Sequence, residues 1–136
     1  MIKINLHIVL VFFLFISCED SIDNGPIKFE IKSAKDTGLD FSNTLNYSSE
    51  LNIIEYLYYY NGGGVAVGDI NNDGLIDVYL TANQKKNKLY LNKGDFKFED
   101  ISEFSNSSGQ KAWSTGVTMV DINNDGFLDI YVCNSG

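Results

Sequence analysis

Gly64-Val-Ala-Val-Gly-Asp-Ile-Asn-Asn-Asp-Gly-Leu-Ile-Asp-Val-Tyr-Leu80 recurs without a gap as Gly116-Val-Thr-Met-Val-Asp-Ile-Asn-Asn-Asp-Gly-Phe-Leu-Asp-Ile-Tyr-Val132, and ten of the seventeen positions are identical. The offset of 52 residues lies in the range of periods that marks solenoids, propellers and arrays. A unit this short cannot bury its own apolar face, so neighbouring units must complete the core. In each copy two apolar flanks, Val65-Ala66-Val67 and Val78-Tyr79-Leu80 in the first, bracket a loop rich in Asp, Asn and Gly. Strand, turn, strand is the reading that this pattern dictates.

The loop repeats Asp-x-Asn-x-Asp-Gly-x-x-Asp: Asp69, Asn71, Asp73, Gly74 and Asp77 in the first copy, Asp121, Asn123, Asp125, Gly126 and Asp129 in the second. Three carboxylates within nine residues repel one another. A hard divalent cation, which takes roughly six to eight oxygens, relieves that repulsion. Loop positions 1, 3, 5 and 9 offer side-chain oxygens, the backbone carbonyl at position 7 (Leu75, Phe127) offers another, and the glycine at position 6 permits the sharp turn. Ile70 and Ile122 at position 2, and Ile76 and Leu128 at position 8, are expected to point away from the ion into a core. Oxygen-only donors favour Ca²⁺ over zinc or copper. The competing reading is a plain hairpin turn, for which Asn-Gly and Asp-Gly suffice on backbone grounds. Retention of all four side-chain positions in both copies favours the metal. An EF-hand requires a bidentate Glu at position 12 between helices, where this chain has Leu80 and Val132 between strands. A dockerin module has shorter repeats that run into helices.

Outward from these two copies, short apolar stretches alternate with Asn, Gly, Ser and Asp clusters, and only Ser49 to Tyr60 keeps even a weak 3.6-residue period. Strands are expected at 27–32, 56–60, 64–68, 76–82, 88–92, 96–101, 116–120 and 128–133. The chain of 136 residues, 44% hydrophobic and 21% charged, fits a single all-β domain. Its ten basic residues are all lysine against 18 acids, for a net charge of −8. With no arginine for a bidentate phosphate clamp and a surplus of acid, nucleic-acid binding is excluded as a working hypothesis.

At the N-terminus, Lys3, the nine-residue apolar run Ile8 to Ile16 and Ser17 before Cys18 have the layout of a cleaved signal. The run is too short for the roughly 20 apolar residues of a membrane span. Phe15-Ile16-Ser17-Cys18 resembles a bacterial lipobox, which assigns residues 1–17 to a lipoprotein signal peptide and makes Cys18 the lipidation site. The alternative is a plain secretory signal with Cys18 incidental. Residues 18–26 read as a flexible tether. Glu19, Asp20 and Asp23 resemble the surface-export signal of Bacteroidetes lipoproteins. Loss of Lys3 leaves 9 bases against 18 acids, a net −9, so membrane attachment is expected through the lipid anchor only and not through a basic surface. Localisation is expected at the bacterial outer membrane or cell surface. With Cys18 lipidated, Cys133 has no partner within the chain.

The paired loops, the connecting Asn87-Lys-Leu-Tyr-Leu-Asn-Lys-Gly-Asp-Phe-Lys-Phe-Glu-Asp-Ile-Ser102 and the glycine-rich Tyr60-Asn-Gly-Gly-Gly-Val-Ala66 resemble the FG-GAP/VCBS repeats of integrin-α-type β-propellers. More narrowly, they resemble bacterial secreted proteins similar to cartilage acidic protein. The resemblance covers roughly residues 38–136; the Phe-Gly of the family name is absent. It implies blades of about four strands with Ca²⁺ held in the aspartate loops. Residues 27–136 are then a partial β-propeller of about two FG-GAP-type blades, an incomplete one, since closure takes roughly 4 to 8 blades.

The only histidine, His7, lies in the signal, which removes Ser-His and Cys-His nucleophiles from the mature chain. The acids outside the loops lack acid/base spacing, so no catalytic residue is assigned and the chain is read as a non-enzyme. Tyr56, Tyr58, Tyr59 and Tyr60 form either an aromatic platform for sugars or, more simply, strand packing; Trp113 is read as packing, and Lys85, Lys86 and Lys88 as a solvated hairpin tip. The expected function is a lipid-anchored, calcium-binding module for adhesion or for binding a protein or glycan ligand. The alternative is a non-catalytic scaffold within a larger polysaccharide-acting enzyme. A purely structural surface protein satisfies the same sequence features.

Overall fold

The computed structural model describes residues 29–110 and 113–135. The expected signal peptide, Cys18 and the tether lie outside the described residues. The chain divides into residues 1–30 and a unit spanning Ile31–Gly136, and every strand among the described residues lies in the second unit.

Four strands, β1 (Val65–Gly68), β2 (Asp77–Leu80), β3 (Lys88–Asn92) and β4 (Phe98–Asp100), pair in sequence order as one antiparallel sheet. β5 (Trp113–Val120) and β6 (Asp129–Ser135) form a separate two-stranded hairpin. The sequence repeat is a structural repeat in register. Ala66 pairs with Tyr79 and Gly68 with Asp77, and 52 residues later Thr118 pairs with Tyr131 and Val120 with Asp129. The one regular helix among the described residues, α1 (Ala34–Thr37), is a single turn that Ser33 caps at its N-terminus and Gly38 closes in the left-handed conformation. Among the described residues the architecture is therefore nearly all β, with one open sheet and one hairpin; no sheet closes on itself.

Two expected strands are absent. Residues 29–32, the described part of 27–32, carry no strand, and 56–60 is a series of turns. The second difference has a local cause. Asn52 is buried, its amide donates to the Ser48 and Ser49 carbonyls, and its oxygen accepts the Ile54 and Glu55 N–H groups. The backbone then folds back on itself through Tyr56 N–H to Asn52 O, Tyr59 N–H to Tyr56 O and Asn61 N–H to Tyr58 O. These local bonds engage backbone groups of Tyr56, Tyr58 and Tyr59 that a ladder would use, and its aromatic rings pack on Trp113: Tyr56 edge-on at 5.1 Å and Tyr59 at 5.6 Å between centroids. The weak helical period over Ser49 to Tyr60 reflects this coiling, since no helix forms there.

The core forms where one face of the sheet meets the hairpin. Ala66, Tyr79 and Leu89 are buried, and Ile101, Val117, Met119, Ile130 and Val132 pack against them. Pairing puts Ala66 beside Tyr79 and Tyr79 beside Leu89, so the apolar row crosses three strands on one face. At Gly68 the hairpin comes so close that a Cβ would lie 2.6 Å from Leu128 Cδ1.

Much of what surrounds this small core is polar and hydrogen-bonded, the buried Tyr59 hydroxyl being an exception. Thr81, buried, accepts the Gly64 N–H and donates to the Thr115 carbonyl. Asn83 donates to the Gly62 and Ser114 carbonyls, and Asn87 accepts the Ala82 N–H and donates to Ser114 Oγ. These bonds tie the β2–β3 connection to β5, and each buried amide or hydroxyl that they satisfy avoids a desolvation penalty of about 1–3 kcal/mol. The preceding segment is strapped to the same connection by the reciprocal pair Asn43–Asn83 and to β3 by Tyr90 Oη donating to the Asp40 carbonyl at 2.8 Å.

Two phenols are held neutral by this packing. Burial pushes Tyr79 upward, with a smaller opposing contribution from Asn87. Burial, followed by the Asp100 and Asp40 carboxylates, pushes Tyr90 from 10.0 to about 12. A raised pKa means that the fold favours the protonated phenol, so this stability is complete below pH 10 and disappears as pH rises through 10 towards about 12. Alkaline titration followed by phenolate absorbance and circular dichroism is expected to show a late tyrosine phase that coincides with loss of the sheet in that window. Tyr90→Phe removes one late-titrating phenol; a titration unchanged by that substitution contradicts the assignment.

Candidate functional site

Each aspartate loop joins two paired strands, so the strand register delivers its first and last carboxylates to neighbouring positions. In the first loop Asp69 accepts the Asp73 N–H at 3.0 Å and the Gly74 N–H at 2.8 Å, Asn71 Oδ1 accepts the Asp73 N–H at 3.1 Å, and Asp73 accepts the Leu75 N–H at 2.8 Å. Asn71 donates its amide to Asp73, and Asp77 reaches back across the loop to the Ile70 N–H at 3.0 Å. The second loop reproduces all six bonds with Asp121, Asn123, Asp125 and Asp129 in the equivalent roles, within 0.1 Å. Gly74 and Gly126 hold the turn at φ +85° and +90° with open space where a Cβ would stand, a conformation that glycine adopts without steric cost.

Exposure grades along the loop. Asp69 and Asp121 are half-buried, Asn71, Asp73, Asn123 and Asp125 are exposed, Leu75 is half-buried and Phe127 exposed. Asp125 is held below the usual carboxylate range first by the Phe127 N–H and then by the Asn123 amide. Asp77 is completely buried whereas Asp129 is half-buried. The difference comes from the third strand. Asn92 at the end of β3 donates its N–H to Asp77 Oδ1 at 2.8 Å and its side-chain amide to the Ile76 carbonyl at 2.9 Å, while β6 pairs only with β5 among the described residues.

The donors all fit a hard cation by type: carboxylate, amide and carbonyl oxygen. A carboxylate has about four lone-pair sites, so an oxygen that accepts one N–H still has capacity for a metal. In the structure the carboxylates close on the loop's own amides, and among the described residues no group of three or more acidic, His or Cys side chains converges on one point.

Of the four loop side chains expected to enter a core, Leu128 does so against Gly68 and Ile70 is half-buried. Ile76 and Ile122 are exposed, at 53% and 62%. Their outward position follows from the hairpin geometry, which turns alternate residues to opposite sides, combined with the absence of a covering layer over that side among the described residues.

Two contributors escape the loop pattern. Asn72, at φ +59°, donates its amide to the Gly126 carbonyl at 3.0 Å, so the first loop is pinned directly to the second. Its identity in both copies, as Asn72 and Asn124, is the signal that marks it. Asn92 gives no such signal, because its role depends on where β3 ends.

Residues 69–132 match the family model of the FG-GAP-like repeat. The chain is 34% identical over 89 residues to cartilage acidic protein 1 of Xenopus tropicalis, covering 65% of this chain and 13% of that protein. It is 32% identical over 76 residues to cartilage acidic protein 1 of Homo sapiens, covering 56% of this chain and 12% of that protein. The chain thus matches about an eighth of the length of these relatives.

The unequal burial of the two terminal aspartates is measurable. Asp77→Ala strands the half-buried Ile70 and Asn92 N–H groups and is expected to cost about 2–6 kcal/mol, at about 1–3 kcal/mol for each unsatisfied group. Asp129→Ala frees one partly solvated N–H and is expected to cost under about 1.5 kcal/mol. Urea unfolding of both variants distinguishes this from a common role, which would give equal losses.

Proposed function

This chain is an FG-GAP repeat protein over residues 69–132, and on that premise we propose that it is a calcium-dependent binding module of the adhesion type, acting on a protein or glycan partner and performing no catalysis. The observation that carries the reading is the duplication of one six-bond loop, side chain for side chain, at a spacing of 52 residues. A hairpin needs only the turn residues; it does not need carboxylates at positions 1, 5 and 9 as well.

In this reading Asp69, Asn71, Asp73, Asp77 and the Leu75 carbonyl hold one Ca²⁺, and Asp121, Asn123, Asp125, Asp129 and the Phe127 carbonyl hold another. The ion supplies the positive charge that three carboxylates otherwise lack and fixes the strand-loop-strand unit. The side chains orient the loop in advance: Asp69 and Asp121 cap the turn amides, and Asn72 keeps the two loops in one array. Extracellular modules bind calcium with dissociation constants of about 10⁻⁴–10⁻³ M, which suits an exported protein. Export through residues 1–17 and anchoring at Cys18 on the bacterial surface complete the proposal, with calcium-stiffened loops presented to the partner.

Thermal unfolding with Ca²⁺ and with a chelator tests the metal. At a free concentration ten times the dissociation constant each site adds about 1.4 kcal/mol, equivalent for a domain of this size to an upward shift of a few degrees in Tm. An unchanged midpoint removes calcium from the reading. Asp73→Ala is expected to halve the calcium stoichiometry in titration calorimetry, and retention of two sites in that variant excludes the assigned ligands.

A further inference from the structure

The two aspartate loops are joined by a hydrogen bond whose neighbours on either side belong to the proposed ligand sets. In the first loop the peptide that follows Asn72 gives its N–H, that of Asp73, to Asp69 Oδ1 at 3.0 Å and to Asn71 Oδ1 at 3.1 Å. Two oxygen donors of the first loop thus fix the backbone that carries Asn72. The Asn72 amide donates to the Gly126 carbonyl of the second loop at 3.0 Å. That carbonyl shares a peptide unit with the Phe127 N–H, which donates to Asp125 Oδ1 at 2.9 Å. A continuous path therefore runs from Asp69 and Asn71, through the Asn72 amide and the Gly126–Phe127 peptide, to the Asp125 carboxylate.

We infer that Asn72 couples the two loops, so that calcium held by one raises the affinity of the other for its own ion. The inference rests on the proposed calcium binding and adds to it a dependence between sites 52 residues apart. A peptide unit is planar and stiff about its C–N bond, so holding the Gly126 oxygen also holds the Phe127 N–H on its far side. Hydrogen bonding at that oxygen polarises the unit and strengthens the N–H as a donor to Asp125. Closure of the first loop on an ion fixes Asp69 and Asn71, and with them the Asn72 backbone. The amide then holds the second loop in the conformation that presents Asp125 and Phe127, and the ordering that the second binding event requires is smaller by that amount. Linkage makes the effect reciprocal, with the same factor in both directions.

The backbone conformation of Asn72 does not by itself account for the contact. Asparagine visits the left-handed region, and Asn124 occupies it at φ +60° in the equivalent position, as Asn72 does at +59°. Glycine would adopt the same dihedral without steric cost. What Asn72 adds is the bond across 54 residues. Coupling carried by one hydrogen bond is bounded by the net worth of that bond, which corresponds to about two- to tenfold in affinity. Asn72 and Gly126 are both exposed, which places the effect toward the lower end of that range. An opposing contribution comes from charge, because an ion that neutralises part of one carboxylate set weakens the pull of that set on the next ion. Physiological salt screens it beyond about 8 Å, and it does not pass through Asn72.

Calcium titration calorimetry on the full chain at physiological ionic strength tests the coupling. Asp73→Ala leaves only the second loop competent and Asp125→Ala only the first, so each reports the intrinsic constant of one site. The product of the two association constants of the wild type is expected to exceed the product of these intrinsic constants by about two- to tenfold. With Asn72→Gly introduced into all three chains, the ratio is expected to fall to one or below while two sites are retained. Asn124→Gly makes the same backbone change in the second loop and is expected to leave the ratio as in the wild type. Two sites with a wild-type ratio of one, or a ratio that survives Asn72→Gly, overturn the coupling and leave the calcium reading intact. Loss of a site in Asn72→Gly, or loss of the coupling in Asn124→Gly, overturns it as well, since either marks a general need for asparagine in the turn. A wild type that binds no calcium removes the calcium reading and the coupling together.

Discussion

Neither repeat has an inside of its own. The sheet β1–β4 presents Ala66, Tyr79 and Leu89 on one face, and β5–β6 laid across that face, together with Ile101, takes them out of water. Burial of side chains of the size of Tyr79 and Leu89 contributes about 1.5–3 kcal/mol each, large against a domain stability of about 5–15 kcal/mol. The approach is close enough that Gly68 has no room for a side chain beneath Met119 and Leu128. Which face of each repeat is covered follows from satisfying this one contact.

The polar residues around the core extend the same contact. Thr81, Asn83 and Asn87 leave the end of β2 and the following connection and bond to Gly62, Gly64, Ser114 and Thr115, so the second repeat is held by directional bonds as well as by apolar area. Hydrogen bonds of this kind add little net energy, but leaving any of their buried partners unmet is costly. They therefore act on geometry, admitting one placement of β5 against β1. The aspartate loops sit at the end of the strands thus aligned, and Asn72 carries the alignment from one loop to the other. In the proposed reading, a binding surface assembled from both loops would be held in place before any ligand arrives, which reduces the ordering that binding requires.

Legibility in the sequence tracked the range of the interactions involved. Strands β1, β2, β5 and β6 were readable because apolar alternation and the Asn-Asp-Gly turn are local, and because the repeat states them twice. The loop contacts of Asp69, Asp73 and their counterparts lie within five residues, so spacing alone predicted which residues share a turn. The tyrosine segment at 56–60 was misread as a strand, since aromatic composition is common to strands and packed turns; the deciding residue, Asn52, acts on the amides of Ile54 and Glu55 and leaves no mark in the hydrophobic pattern. Ile76 and Ile122 are assigned to a core by their positions in the loop, yet which layer covers a strand face is not a local property.

The sequence by itself determined that this protein is built from two copies of a strand-loop-strand unit with oxygen donors at fixed loop positions, because residues a few places apart are held together by the chain and by backbone sterics. Only the tertiary structure decided which face of each unit is covered, why Asp77 is sealed by Asn92 while Asp129 is not, and that Asn72 bridges the loops. Those outcomes depend on groups 15 to 54 residues apart that meet only after the apolar faces have found each other, and the hydrophobic effect that brings them together is non-directional and writes no spacing into the chain.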